Sequence, residues 1–177
     1  YHCLWALTPL EEKKAFETFV DMVMERWKEF PDFHIYHYTA YEPSALKRLM
    51  GKHATRENEI DQMLRAGIFI DLHSVTKQAL RVGIESYSLK ELEKFHGFER
   101  EVVLRDAALQ LRALEGFIER KILKDIPEET KEAVQTYNKE DCLSTKNLRD
   151  WLESLRDKLT KDGHAISRPE QSDGAAS

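Results

Sequence analysis

The chain has 177 residues, with 32 acids against 27 bases and a formal net charge of −5. That balance excludes a globally basic nucleic-acid coat and a polybasic membrane binder, but leaves room for a local basic surface. Its 41% apolar and 33% charged residues predict a soluble globular domain with a real core, and no apolar run nears the roughly 20 residues that span a bilayer.

In chain order, His2 to Leu7 reads as a first strand. Thr8-Pro9-Leu10-Glu11 then carries a helix start: Thr8 as N-cap, Pro9 in the first turn and Glu11 closing a capping box. Phe16, Val20, Val23 and Trp27 recur at helical spacing, and Pro31-Asp32 ends the helix. Phe33 to Tyr38 is short and aromatic, as a strand should be. Pro43 opens a helix with Leu46, Leu49 and Met50 on one face and Gly51 at its end, and a second helix covers about Arg56 to Ala66. Ile68 to Leu72 reads as a buried strand containing one acid, Asp71. Helices follow over about 74–82, over 88–95 behind a Ser88-to-Glu91 capping box, over 104–123, and from Pro127 to about Leu159. Strands alternating with helices predict an α/β fold with a largely parallel sheet. Residues 1–160 form the expected domain, and polar residues 161–177 form a tail or linker.

The last helix carries the sharpest signal. Val134, Tyr137, Asp141, Ser144 or Thr145, Leu148, Leu152, Leu155 and Leu159 follow an unbroken three–four spacing, so Asp141 falls on the stripe that should face the core. A buried carboxylate needs a cation or a dense set of donors. Tyr137, one turn earlier, would share its cavity. A stripe that twists away would instead leave Asp141 solvated, or Asn138 would cap a new helix.

Glu42 follows the Phe33–Tyr38 strand, where open α/β sheets gather ligands, and equally suits a helix N-terminus. Asp71 ends a strand and reads either as a metal ligand or, better, as the cap of the next helix. Lys47, Arg48, Lys52 and Arg56 form a stretch free of acids, which suits phosphate contacts or an ordinary solvated face. His34 and His37 point to opposite faces of their strand and make no local metal pair. Two cysteines, Cys3 and Cys142, are too few for a disulfide framework, so a reducing cytoplasm is the expected compartment.

Together these residues resemble a known family. Tyr137-Asn138-Lys139-Glu140-Asp141 is similar to the Tyr-x-x-x-Asp third motif of the exonuclease branch of the ribonuclease H-like superfamily. Ala40 to Leu46 resembles that branch's second motif, with Glu42 in place of the usual Asp. His-Ile-Tyr-His-Tyr at 34–38, Tyr-Ser-Leu-Lys at 87–90 and Asp-Cys-Leu-Ser-Thr at 141–145 resemble the ribonuclease H-like domain of bacterial RecB-like nucleases.

The resemblance implies a three-layer fold and two-metal hydrolysis of phosphodiester bonds with Mg²⁺ or Mn²⁺. Asp141 and Glu42 would be ligands, Tyr137 would orient the attacking water, and Asp71, without a catalytic counterpart in the family's motifs, would be a third acid for the metal. Nucleic acid, DNA above all, would be the partner, with further nuclease or helicase domains elsewhere in the protein. The family's first motif, Asp-x-Glu on the first strand, is expected upstream of Tyr1, which would make this chain an N-terminally truncated domain that is inactive or badly impaired on its own. A catalytically degenerate nucleic-acid-binding module of the same fold is the alternative.

Overall fold

Thr8 starts the first helix in the computed structural model, which describes residues 1–101 and 104–168, the side chains of 104–106 excepted. Its hydroxyl accepts from the Glu11 N–H while the Glu11 carboxylate accepts from the Thr8 N–H, so the expected capping box forms. The helix, α1 (Pro9–Glu29), buries Phe16, Val20 and Val23. A short strand, β1 (Ile35–His37), leads into α2 (Tyr41–His53) and α3 (Glu57–Arg65), and the chain returns as β2 (Phe69–Asp71). The two strands are parallel, with Ile35 opposite Phe69 and His37 opposite Asp71. There follow α4 (Leu72–Ala79), α5 (Leu89–His96), α6 (Leu104–Glu119) and the long α7 (Glu128–Lys161).

Alternating strand residues divide the core. Ile35 and Phe69 pack against a cluster of Phe16, Val20, Ile60, Met63 and Ile68, supplied by α1, α3 and the approach to β2. Tyr36 and Ile70 pack on the other side against Leu72, Leu92 and Leu148 from α4, α5 and α7. Helices therefore cover both faces of a small parallel sheet, which gives three layers. No helix among the described residues is long and apolar enough to cross a membrane.

Several boundaries differ from expectation. His2 to Leu7 is not a strand; it lies along α7, where the Tyr1 hydroxyl donates to Asn138 Oδ1 at 2.8 Å and Trp5 Nε1 to Gln135 Oε1 at 2.8 Å. A strand needs a free sheet edge, and these aromatic donors find a helix face instead. The second helix runs past Gly51 to His53, because Glu12 on α1 holds both residues that follow: Lys52 Nζ at 2.5 Å and His53 Nε2 at 2.8 Å. Next, α4 begins at Leu72 rather than Ser74, since Asp71 itself is the N-cap, and α6 ends at Glu119, four residues early, where Lys121 takes φ +58°. Beyond Lys161, residues 164–168 turn back over α7, with Arg156 donating to the Ile166 carbonyl and Arg168 to Glu153. The remainder of the expected tail lies outside the described residues.

Candidate active site

A cavity of about 1030 Å³ opens at the carboxyl ends of β1 and β2, the place where open α/β sheets receive ligands. Glu42, Tyr137 and Asp141, separated by about a hundred residues of chain, all line it. Glu42 arrives on the first turn of α2, and Tyr137 and Asp141 stand one turn apart on α7.

The link from β1 to α2 is held tightly. Thr39 adopts φ +67°, a left-handed backbone that is uncommon for a β-branched residue. Its N–H donates to Asp71 Oδ1 at 2.9 Å, and its carbonyl lies 2.6 Å from His37 Nδ1, which requires the proton on that nitrogen. This strap aims the start of α2 at the cavity. His37 Nδ1 also lies 3.7 Å from Glu42 Oε2.

Glu42 has a carboxyl pushed above the usual glutamate range. Burial is the main cause; its own N–H and His37 oppose the rise, and the charges of Asp71 and Asp141 add to it. The like charges are the smaller part of that rise, and they are the part a bound cation would relieve.

Asp71 is used differently. Oδ1 accepts from the Thr39 and His73 N–H groups, and Oδ2 accepts from Ser74 Oγ at 2.7 Å. Burial would raise its pKa, but these donors and His37 outweigh burial and hold the carboxyl below the ordinary value. It caps α4 and anchors the Thr39 strap.

Asp141 sits at the cavity edge and not on the buried row of its helix. The buried positions of α7 are Thr130, Glu140, Ser144 and Leu148; Ser144 and Leu148 fit the stripe read from the sequence, but Glu140 takes the buried place expected for Asp141. Glu140 is buried where its Oε1 accepts from the Glu101 N–H at 2.6 Å, and Ser144 where its hydroxyl donates to Glu93 Oε1 at 2.7 Å. Asp141 is 39% exposed and pairs with Arg100, whose Nη2 lies 2.8 Å from Asp141 Oδ1 and 2.6 Å from Glu93 Oε1.

Tyr137 stands between two cations. Lys90 Nζ donates to its hydroxyl oxygen at 3.0 Å, and the Arg100 guanidinium lies 5.6 Å from its ring centre. The phenol can still donate its own proton into the cavity. Cys142 also lines the cavity; burial and the charges of Asp141 and Glu42 push its thiol up, which disfavours the reactive thiolate.

Two members of the basic stretch are committed elsewhere, while Lys47 and Arg48 stay exposed on α2. Arg56 forms a two-pronged pair with Asp21, both bonds at 2.8 Å, and Lys52 pairs with Glu12. Lys47 borders a separate hollow beside Glu57 and Asp61. The cations that line the carboxylate cavity are instead Lys90, Lys146 and Arg149. Sequence reasoning missed them, yet the spacing 141, 145, 149 already places Arg149 on the face of Asp141. Arg100 follows α5 in a loop, and nothing local in the sequence marks it.

Oxygen donors of this kind suit Mg²⁺ or Mn²⁺, and Glu42 and Asp141 bring two carboxylates to one cavity. The donor chemistry therefore fits a divalent ion. The number of donors is small: among the described residues no group of three or more His, Cys, Asp or Glu side chains is placed to hold a metal.

Comparison with curated proteins and with solved structures returns no match. The family profile described as the RNase H superfamily matches residues 6–153, spanning all three layers and every cavity residue named above. With its helix-covered parallel sheet and its acids at the strand ends, the chain belongs to the RNase H superfamily, a group of nuclease-type domains.

Proposed function

We propose that the cavity is the site of a metal-dependent nuclease domain that binds a nucleic-acid strand, DNA in the first instance, and hydrolyses phosphodiester bonds in the manner of a 3′–5′ exonuclease. The observation that carries this reading is the meeting of Glu42, Asp141 and Tyr137 in one cavity, where the charge of Asp141 helps to raise the Glu42 carboxyl. Glu42 and Asp141 would hold the ion. When bound, it supplies Lewis acidity toward water and the scissile phosphate. Tyr137, its oxygen already accepting from Lys90, directs its proton toward the attacking water or a phosphate oxygen. Lys90, Lys146 and Arg149 carry the phosphate backbone past the acids, and Tyr36, covered by Arg149 at 5.3 Å, offers a ring face at the same wall. Asp71 positions the strap and does not act as a ligand.

With two carboxylates, weak binding of a single ion and slow turnover are expected from this chain, within a larger DNA-processing protein. One observation favours the alternative of a non-catalytic binding module: Asp141 already has a cation, Arg100. Calorimetric titration with Mn²⁺ separates the two. The nuclease reading expects saturable binding that Asp141→Asn and Glu42→Gln each weaken about tenfold or more; absence of binding in the wild-type chain refutes it.

A further inference from the structure

Arg100 is the most heavily engaged cation at the cavity. Its side chain is 9% exposed. Nε lies 3.0 and 3.1 Å from the two oxygens of Glu93, and Nη2 bridges Glu93 Oε1 and Asp141 Oδ1. Ser144 donates to the same Glu93 oxygen, and the guanidinium covers the rings of Tyr137 and Phe98 at 5.6 and 6.0 Å. One positive charge thus faces two carboxylates, one buried on α5 and one at the cavity edge on α7. Glu93 alone already satisfies the charge of Arg100 with two-pronged geometry. The second contact, to Asp141, is the one a guanidinium can give up without losing its buried partner.

We infer that Arg100 is a resident counter-cation for Asp141, a positioning residue that occupies the carboxylate until a divalent ion takes its place. The inference rests on Asp141 being a ligand, as proposed above, and adds how access to that ligand is controlled. An ion approaching Asp141 must break the Nη2–Oδ1 contact, while Nε and the Glu93 pair keep the arginine seated. Arg100 therefore sets the metal affinity of the site and lowers it. Removing its charge should tighten divalent binding by about tenfold, the scale on which a single adjacent charge moves the equilibria of a carboxylate. A purely structural arginine would have the opposite effect, since its loss would disorder the ligand.

The test is Mn²⁺ calorimetry on the full chain. Arg100→Gln alone would leave Glu93 buried and uncompensated, so the informative variant is Glu93→Gln with Arg100→Gln, which keeps an amide pair in place of the ion pair. Arg100→Lys retains the charge and should stay close to wild type. Tighter binding in the double variant together with unchanged binding in Arg100→Lys supports the inference. Equal or weaker binding in a cooperatively folded double variant overturns it while leaving the metal site standing. No binding in any variant overturns both the inference and the nuclease reading. Should the double variant fail to fold, the Nη2–H resonance of Arg100 in the wild-type chain decides. It should shift on saturation with Mg²⁺ and remain still in Asp141→Asn; a resonance unmoved at saturation overturns the inference.

Discussion

Lys52 near the end of α2 and Arg56 at the start of α3 point back at α1 and close ion pairs with Glu12 and Asp21. At the cavity, Lys90 reaches Tyr137, Arg149 covers Tyr36, and Lys146 and Arg149 share one acid, Asp150, at 2.8 and 3.1 Å. The first group fastens a helix to its neighbour and leaves little free charge. The second has three cations against that single rim acid, beside an aromatic wall and a pair of carboxylates. Runs of like charge in a sequence report only local density. Whether the charge is available to a ligand depends on partners that tertiary structure brings from elsewhere: Glu12 and Asp21 lie 40 and 35 residues from Lys52 and Arg56.

The largest expected effect comes from the anchor of the cavity wall. Leu148 is fully buried between α7 and α5, and Leu148→Ala should cost about 2–5 kcal/mol in urea unfolding. A loss below 1 kcal/mol would mean that α7 is not seated as described. Asp71→Ala should cost about 1–2 kcal/mol, the range for a lost N-cap, with Mn²⁺ affinity within twofold of wild type; a tenfold loss of affinity would restore Asp71 as a ligand. The pH dependence of this cap follows from its sign. The Asp71 pKa is lowered on folding, so its contribution is complete above the ordinary aspartate value and is lost as pH falls through the depressed one.

Glu42 behaves in the opposite sense. Its carboxyl is raised, so protons compete with a metal at higher pH than at an ordinary glutamate. Mn²⁺ affinity should begin to fall on acidification while unperturbed glutamates are still ionised, and Glu42→Gln should remove that early fall. A profile identical in the variant would assign the titration to another group. Smallest of all, Arg56→Ala should lower the melting temperature slightly and leave oligonucleotide affinity unchanged. Weakened binding would move the nucleic-acid face back to α2.

Much of the fold was legible because local chemistry and packing agree. Thr8, Glu11 and Ser88 mark helix starts where the structure has them, and Phe16, Val20 and Val23 of the apolar row of α1 are buried. Glu42, Tyr137 and Asp141, which the resemblance names together, line one cavity. The burial of Glu140 in place of Asp141 was not legible, because three of the four buried residues of α7 are polar, and apolar periodicity is blind to Thr130, Glu140 and Ser144. Each is buried for a hydrogen bond made across the fold: Thr130 to Gln110, Glu140 to the Glu101 N–H, and Ser144 to Glu93. His2 to Leu7 has the pattern of a strand, yet a strand exists only where an edge receives it, and that edge is not a property of the segment.

The central claim is that the cavity, and not α2, receives the nucleic acid. Binding of a labelled single-stranded oligonucleotide over a salt series in Mg²⁺ tests it most directly. Lys146→Ala with Arg149→Ala should weaken binding about tenfold and flatten the slope of log affinity against log salt by about 1.4, two cations' worth of counterion release. Lys47→Ala with Arg48→Ala should stay within about twofold of wild type. Loss of affinity in the α2 pair and not in the cavity pair would contradict the account.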